Sequence, residues 1–284
     1  MRRIWIPGAK GFVGAALREI APKPLLTSGH ELDIADLEHV SAFAKEHKPT
    51  HIINCAAFSQ VDPAETKREE AYRANAMGPE TLGIVAQEIG AKLLHISTDY
   101  VFPGTKKTPL KETDPVDPCN YYGFTKLEGE KKLQAINPDA CILRTSWVFG
   151  KGGKNFVTKL FELLQTKEEL KLVSDQFGRF TYAPDLAQVL IAMMDRSGLY
   201  QFANAGVTSK YEFARACREE MEALGFPIKC RTIEPVSYTA FPAPAKRPAY
   251  SAFDTSKIER TLHIKPRPWR TCMQEYLHEH AHAH

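Results

Sequence analysis

Short apolar runs alternate with amphipathic stretches through the first 150 residues of the chain. Apolar runs of a few residues predict buried strands, and stretches in which apolar residues recur every three or four positions predict helices. The predicted strands cover residues 4–6, 24–27, 51–54 and 92–96, and the predicted helices cover 15–20, 34–46 and two segments between 63 and 89. This alternation is typical of a parallel, doubly wound α/β sheet, in which ligands bind at the carboxyl ends of the strands.

The alternation loosens after Gly150, where Lys151-Gly152-Gly153-Lys154 has the composition of a flexible crossing. Past it we predict helices over 156–165, 185–194 and 210–224 and short strands over 170–173 and 200–202. The segment 235–248 holds too many prolines for a regular element and is predicted to be a rigid loop. We therefore expect one domain over residues 1–150, to which 180–195 returns, and a smaller C-terminal α/β lobe formed by 151–179 and 196–284.

The composition is that of an ordinary globular protein, with 284 residues, 43% hydrophobic content and a formal net charge of +3. Basic and acidic residues are interspersed, which argues against a dedicated nucleic-acid binder. No apolar run reaches the roughly 18 residues of a membrane span, and Pro7-Gly8 ends the first run too early for a signal peptide. Six scattered cysteines predict reduced thiols in a cytoplasmic protein. The alternating histidines of 278–284 could chelate a metal, but their terminal position favours a frayed tail or a purification remnant.

A glycine-rich turn follows the first predicted strand, with Gly8, Gly11 and Gly14 at G-x-x-G-x-x-G spacing. In a dinucleotide-binding turn such glycines permit a tight turn, the approach of a pyrophosphate and the close packing of helix on strand. A purely structural loop is the alternative, and the position directly after an N-terminal strand favours the dinucleotide site. The sequence therefore predicts an NAD(P)-binding domain of Rossmann type over 1–150.

The end of the second predicted strand bears on the choice of cofactor. Folds that prefer NAD usually place Asp or Glu there to accept a hydrogen bond from the ribose 2′-hydroxyl. This chain has Thr27-Ser28-Gly29-His30 and no carboxylate before Glu31, so a 2′-phosphate is tolerated and Lys10 or Arg18 could neutralise it. We therefore expect NADPH, with NADH as an alternative.

Tyr122 and Lys126 are four residues apart in a predicted helix, so they project from one face. A nearby ammonium favours the phenolate and lowers a phenol pKa that starts near ~10, which makes the pair a candidate proton donor. An exposed helix face explains the spacing equally well. Among the ten tyrosines, however, only Tyr122 has a lysine four residues on, and Ser97-Thr98-Asp99 ends a neighbouring predicted strand.

These motifs resemble the dTDP-4-dehydrorhamnose reductase family of extended short-chain dehydrogenase/reductases. Besides the glycine turn, the matches are, in order, Leu32-Asp33-Ile34, Asn54-Cys55-Ala56-Ala57, Val61-Asp62-x-Ala64-Glu65, Ser97-Thr98-Asp99-Tyr100-Val101-Phe102, Tyr122-Gly123-x-x-Lys126-x-x-Gly129-Glu130, Arg144-Thr145-Ser146-Trp147-Val148-Phe149-Gly150, Asn155-Phe156, Asp175-Gln176-x-Gly178, Asp185-Leu186-Ala187 and Arg247-Pro248-x-x-Ser251. The resemblance covers nearly the whole chain. Its S-T-D-Y-V-F and R-T-S-W-V blocks separate this family from nucleotide-sugar epimerases at large.

The resemblance implies NAD(P)H-dependent reduction of the C4 ketone of dTDP-4-dehydro-L-rhamnose to dTDP-L-rhamnose. It implies that Tyr122 is the general acid, that Lys126 lowers the pKa of the phenol and holds the nicotinamide ribose, and that Thr98 polarises the carbonyl. The implied cofactor contacts are Gly8, Gly11, Phe12, Val13, Gly14, Asp33, Ile34, Ala56, Ala57, Phe58, Asn75, Ser97, Tyr122 and Lys126. The implied contacts to the dTDP-sugar are Val61, Thr98, Asp99, Tyr122, Trp147, Asn155 and Arg247.

Three of these substrate contacts have a structural alternative. Trp147 stacks near the sugar or belongs to the core, and Asn155 contacts the substrate or caps the helix that begins at Phe156. Arg247 binds the diphosphate, for which a guanidinium is well suited, or is a surface charge before a proline.

The chain departs from the family pattern at two positions. Phe180-Thr181 replaces the usual Pro-Thr, which predicts a different local turn. Ala16 stands where some relatives carry a Glu used in a magnesium-bridged dimer, which argues against magnesium here and leaves a monomer or a homodimer open. No other metal ligand is predicted.

Two other functions stay open at this level. One is a non-catalytic regulatory subunit resembling the β-subunit of methionine adenosyltransferase, against which the intact Thr98, Tyr122 and Lys126 set argues. The other is a reductase of a different nucleotide-linked 4-keto-deoxysugar.

Overall fold

Six strands pair in parallel to form the main sheet. Numbered in chain order over the described part of the sequence, they are β1 (Ile4–Pro7), β2 (Leu25–Ser28), β3 (His51–Asn54), β4 (Lys92–Thr98), β5 (Cys141–Thr145) and β9 (Gly198–Gln201). Their order is β2-β1-β3-β4-β5-β9. The second strand therefore lies on one side of β1 and the later strands lie on the other, which places the switch in strand order between β1 and β3. The structure, a computed structural model, describes residues 2–151, 153 and 155–281.

Helices cover both faces of the main sheet. On one face lie α1 (Phe12–Ile20), α8 (Ala183–Met193) and α10 (Ser256–Leu262), and on the other lie α2 (Leu37–His47), α5 (Gly78–Ile89) and α6 (Tyr121–Ile136). Burial on both faces explains why the strands read as nearly continuous apolar runs. The predicted doubly wound sheet of Rossmann type is confirmed, and α8 returns to this domain as expected.

The segment between β3 and α5 is helical but broken. It consists of α3 (Val61–Ala64), α4 (Arg68–Tyr72) and a π-helical turn over Arg73–Met77. The wider turn carries Asn75 inward, where it is fully buried. Sequence periodicity predicted the helices here but did not predict the π-helical turn. That turn places the polar side chain of Asn75 in the interior.

Over the residues described, the smaller lobe contains two short parallel pairs and three helices. The pairs join β6 (Val148–Phe149) to β8 (Thr181–Tyr182) and β7 (Glu169–Val173) to β10 (Thr232–Val236), and the helices are α7 (Phe156–Thr166), α9 (Lys210–Ala223) and α11 (Trp269–Ala281). Its core is aromatic, and Phe180 stacks on Phe213 with ring centroids 3.9 Å apart. The departure from the family pattern at Phe180 therefore supplies a core side chain.

Two expectations about this half were wrong. Residues 196–284 do not all belong to the lobe, because β9 pairs with β5 and extends the main sheet. The segment 235–248 is not entirely loop, because β10 includes Pro235 and Val236 and a 3-10 turn covers Tyr238–Ala240. A proline is tolerated in β10 because that strand pairs only with β7 and forms an edge.

The C-terminal histidines begin within a helix, since α11 continues to Ala281, so this part of the expected frayed tail is ordered helix; His282 and His284 lie outside the described residues. The six cysteines are free thiols. Within the described ranges, no helix combines the length and apolarity needed to cross a bilayer. Over the same ranges, no three His, Cys, Asp or Glu side chains are grouped so as to hold a metal ion.

Candidate active site

The glycine turn forms a cradle that only glycine can build. Gly8 has a φ of +76°, and a Cβ there would lie 2.5 Å from the Ala56 nitrogen. A Cβ at Gly14 would lie 2.5 Å from the Gly8 carbonyl oxygen. Gly11 caps α1 without a side-chain hydrogen bond, and the first turn of α1 has no acidic residue. The uncapped amide groups at this helix N-terminus suit a pyrophosphate, at the point where the strand order reverses.

Further predicted cofactor contacts surround this cradle. Ser97 has a buried hydroxyl oxygen with no hydrogen-bond partner among the described residues. Phe58 is held by Asn75, whose amide accepts from the Phe58 N–H at 2.9 Å and donates to the Phe58 oxygen at 3.0 Å. Asp33 is already paired with Arg73 at 2.6 Å. Asn75 thus positions the loop that is predicted to line the dinucleotide.

A carboxylate does reach the end of β2, contrary to the expectation from spacing. Glu31 folds back and accepts a hydrogen bond from the Gly29 N–H at 2.6 Å, and Lys10 lies 4.0 Å from the same carboxylate. Backbone N–H groups of Glu31 and Gly29 lower the pKa of this carboxyl group. The absence of an acidic group was therefore a wrong premise for preferring NADPH.

Tyr122 and Thr98 meet because α6 approaches the end of β4 very closely. The Asn120 side chain caps α6 by accepting from the Gly123 N–H at 2.8 Å. A Cβ at Gly123 would collide with the Tyr100 carbonyl oxygen, and one at Gly129 with that of Asn75. These two glycines thus bring Tyr122 within hydrogen-bonding reach of Thr98.

The phenol of Tyr122 does not have the lowered pKa that we expected. Burial raises its pKa to about 12, the hydrogen bond with Thr98 acts in the opposite direction, and the Asp99 carboxyl raises it further. Lys126 is buried, but its Nζ donates to the Ile96 carbonyl oxygen at 2.7 Å and lies 3.2 Å from His95 Nε2. The predicted lowering of the phenol pKa by Lys126 is therefore wrong for this structure, because Lys126 Nζ is engaged beneath the helix.

Asp99 lies beside this pair as a buried carboxyl group. The Thr98 hydroxyl donates to its Oδ1 at 3.1 Å, and Ser251 also hydrogen-bonds to it. Burial raises the pKa of Asp99 to about 7, so the group changes charge near neutral pH.

Arg247 is neither a bare surface charge nor a free anion ligand. Its guanidinium forms two hydrogen bonds of 2.6 Å to the carboxylate of Asp62, and it donates to the Ala245 carbonyl oxygen at 2.6 Å. Val61 begins α3 next to this ion pair. The pair joins α3 to the proline-rich segment of the lobe.

Lys210 is a site residue that sequence reasoning missed. Its side chain is half-buried, and the ammonium lies 5.8 Å from the ring centroid of Trp147 and 5.5 Å from that of Phe156. Burial lowers its pKa, Arg247 acts in the same direction, and Asp62 and Asp99 oppose them. No described residue accepts a hydrogen bond from this ammonium. No local pattern distinguishes Lys210 in the sequence, since its partners are distant along the chain.

The structure supports different alternatives for Trp147 and for Asn155. Trp147 has a left-handed φ of +44° and packs edge-to-face on Phe180, with centroids 5.0 Å apart, so it lies between the lobe's core and Lys210. Asn155 caps α7, where its side-chain oxygen accepts from the N–H groups of Val157 and Thr158. Its amide nitrogen donates to Gly150. The capping alternative for Asn155 is confirmed, and a substrate contact stays a prediction.

Comparison with known proteins identifies the family. The chain matches the family described as RmlD substrate binding domain over residues 1–282. It is 36% identical to the dTDP-4-dehydrorhamnose reductase of Aggregatibacter actinomycetemcomitans, over 96% of this chain and 98% of that protein. It is 37% identical to the spore coat polysaccharide biosynthesis protein SpsK of Bacillus subtilis, over 100% of this chain and 99% of that one.

A solved structure agrees with these relatives. The dTDP-4-dehydrorhamnose reductase from Bacillus anthracis, crystallised in complex with NADP, superimposes with a TM-score of 0.92 at 33% identity and covers 98% of this chain and 100% of its own. The chain belongs to the dTDP-4-dehydrorhamnose reductase family of oxidoreductases.

Proposed function

We propose that the protein reduces the C4 ketone of dTDP-4-dehydro-L-rhamnose to dTDP-L-rhamnose, with NADPH as the cofactor and NADH as an alternative. The observation that carries this proposal is the buried contact between Thr98 and Tyr122 at the carboxyl edge of the main sheet, with Lys126 on the same helix and the glycine cradle on a neighbouring strand. Family membership supplies the substrate class, since two of the relatives described above are named as reductases of this sugar.

The residues of the cradle would hold the cofactor. The N-terminus of α1 suits its pyrophosphate, the residues after β3 would line the dinucleotide, and Lys126 and Tyr122 would face the nicotinamide end. When bound, the reduced nicotinamide supplies the hydride that C4 of the sugar receives.

Tyr122 donates the proton that this reduction requires. As C4 accepts the hydride, the carbonyl oxygen gains negative charge and takes the phenolic proton, leaving Tyr122 as phenolate. A pKa of about 12 keeps the phenol protonated at neutral pH, so the donor form is fully populated. The single hydroxyl proton of Thr98 points at Asp99 in the structure and would turn towards the substrate carbonyl, where it stabilises the developing negative charge and orients the ketone towards Tyr122.

The lobe supplies groups suited to the rest of the substrate. Trp147 offers an aromatic face for the pyranose ring, and Lys210 and Arg247 offer positive charge for the diphosphate. Asp99, next to Thr98, and Val61 are further proposed contacts with the substrate. Among them, Lys210 is ready to receive an anion, whereas Arg247 must first separate from Asp62.

A second candidate keeps this chemistry and changes the sugar. The relative in Bacillus subtilis is named for spore coat polysaccharide biosynthesis, which favours another nucleotide-linked 4-keto-deoxysugar as the alternative substrate. The catalytic residues would be shared, so only the product distinguishes the two.

The test compares sugars under identical conditions. Purified protein is assayed with NADPH and with NADH against dTDP-4-dehydro-L-rhamnose and against a second dTDP-4-keto-deoxysugar, with products identified by mass spectrometry and NMR. We expect the highest kcat/KM for the rhamnose precursor. A higher kcat/KM for the other sugar would favour the second candidate, and turnover of neither by folded protein would overturn both.

A further inference from the structure

A buried chain of three polar side chains lies beneath the candidate active site. Asn54 at the end of β3, His95 in β4 and Lys126 in α6 are each at most 2% exposed. Asn54 Nδ2 lies 3.0 Å from His95 Nδ1, and His95 Nε2 lies 3.2 Å from Lys126 Nζ. This series of hydrogen-bonded side chains thus ends at Lys126, the lysine to which we assign a role in the proposed reaction.

The direction of the hydrogen bonds in this series is fixed at Asn54. Asn54 Oδ1 accepts a hydrogen bond from the Ala56 N–H at 3.0 Å, which fixes the amide so that Nδ2 faces His95 as a donor. Turning the amide over would place two donors against each other at Ala56 and leave a backbone N–H unpaired.

The amide orientation determines the tautomer of His95. Because Nδ1 accepts from Asn54, the proton of the neutral ring is on Nε2, and this N–H points at Lys126. An ammonium group has no lone pair to accept it. Only the neutral amine can accept from this N–H, so the contact favours that form of Lys126, which still donates to the Ile96 carbonyl oxygen at 2.7 Å.

We propose that His95, oriented by Asn54, is a positioning residue that favours the neutral amine form of Lys126 over its ammonium form in the cofactor-free protein. The role assigned to His95 is to set the proton occupancy of the lysine; it does not itself touch the substrate. The hydrogen-bond polarity belongs to the folded protein alone, and only its catalytic consequence rests on the proposed function.

The other groups that face Lys126 offer an ammonium little compensation. Cys55, with a pKa raised to about 12 by burial, and Tyr122, also at about 12, are both neutral at pH 7. Among the residues that the structure describes, Glu130 is the carboxylate that acts on Lys126, and the Arg144 guanidinium occupies both its oxygens at 2.9 and 2.6 Å. Burial lowers the pKa of Lys126 to about 8, with Glu130 and Cys55 opposing, and it lowers that of His95 well below the ordinary value.

The consequence for the proposed reaction concerns the return of a proton to Tyr122. After each reduction Tyr122 is a phenolate, and a lysine with a lowered pKa releases a proton towards it more readily than one at the ordinary value of roughly 10.4. Lys126 supplies this proton only in its charged form. The alkaline limb of the kcat profile, which includes this proton return, therefore follows the pKa that His95 helps to set.

Three variants separate this role from packing. His95→Leu removes the N–H that faces Lys126, and Asn54→Asp accepts from Nδ1–H, so the ring turns its lone pair towards the lysine. Both are expected to move the alkaline limb up by about one pH unit or more. His95→Gln is the matched control, since its amide can accept from Asn54 and donate to Lys126, and the limb should stay within a few tenths of a unit.

The decisive readout needs neither cofactor nor substrate. Long-range ¹H–¹⁵N spectra of the ¹⁵N-histidine-labelled protein should show His95 protonated on Nε2 and not on Nδ1, with its signal identified by its loss in His95→Gln. In Asn54→Asp the proton should move to Nδ1. A wild-type ring protonated on Nδ1, or an alkaline limb unmoved in both His95→Leu and Asn54→Asp, would overturn the proposal. Failure of the enzyme to reduce the sugar would leave the spectral result standing and would count only against the proposed function.

Discussion

Both oxygens of Asp62 accept hydrogen bonds from the guanidinium of Arg247, each at 2.6 Å. The two residues are separated by 185 positions in the chain and connect α3 to the proline-rich segment of the lobe. The hydrogen bond from Arg247 is the main reason that the pKa of Asp62 lies below its usual range. Since Arg247 is also the proposed ligand of the diphosphate, the carboxylate and the substrate compete for one guanidinium.

Removal of the Asp62 charge should therefore strengthen nucleotide binding. We expect Asp62→Asn to lower the Kd for dTDP by about five- to tenfold, because the variant lacks the carboxylate that competes with the diphosphate for the Arg247 guanidinium. Isothermal titration calorimetry measures the change. Asp175→Asn is the matched control, since Asp175 binds Ser237 and Tyr238 in the same segment and has no hydrogen bond to Arg247. Weaker binding in Asp62→Asn would show that Asp62 positions Arg247 for the ligand instead of competing with it.

Lys210→Met tests the cation that sequence reasoning missed. The substitution keeps the length of the side chain against Trp147 and Phe156 but removes the ammonium. We expect the Kd for dTDP and the KM for the sugar to rise by about tenfold or more, with a smaller change in kcat. The exposed Lys229→Met variant controls for the loss of one positive charge. Equal Kd values in wild type and Lys210→Met would remove Lys210 from the site.

Asp99→Asn should stabilise the protein in a pH-dependent way. The carboxyl binds a proton more tightly in the folded state, where its pKa is raised from 3.8 to about 7. Its favourable contribution is therefore fully present at low pH and is lost as pH rises through about 7. We expect the gain from Asn, on the order of a few kcal/mol, to be larger at pH 8.5 than at pH 5.5. Thermal unfolding at both pH values gives the answer, and a gain confined to pH 5.5 would contradict the raised pKa.

Glu31→Gln should shift the preference between cofactors. The carboxylate at the end of β2 favours a ribose 2′-hydroxyl and repels a 2′-phosphate, and Lys10 beside it is partly neutralised. We expect the kcat/KM ratio of NADPH to NADH to increase by about fivefold. Glu19→Gln, on the adjacent helix α1, serves as the control. A ratio that falls would mean that Glu31 does not face the ribose.

The sheet and the cradle could be predicted because their signals are local. A strand of a few apolar residues, three spaced glycines and a helix follow one another within 20 residues, and the structure keeps them in that arrangement. Thr98 and Tyr122 were also brought together as expected, since both lie at the carboxyl edge of the sheet.

The contacts of Lys126 could not be predicted in the same way. The spacing of Tyr122 and Lys126 fixes a shared helix face, but it does not show what lies under that face. Lys126 Nζ contacts the Ile96 carbonyl oxygen and the His95 ring, and both residues belong to β4. The ion pair of Asp62 and Arg247 escaped prediction for the same reason, because tertiary packing joins distant segments.

The most direct test of the account compares wild-type protein with Tyr122→Phe on dTDP-4-dehydro-L-rhamnose and NADPH. We expect the wild type to form dTDP-L-rhamnose and the variant to lose about 10²- to 10⁴-fold in kcat. NADPH binding, followed by fluorescence, should be retained in the variant, which shows that the cleft is intact. A folded, NADPH-binding wild type that forms no product, or a Tyr122→Phe variant with the wild-type kcat, would contradict the assignment of Tyr122 as the proton donor of this reduction.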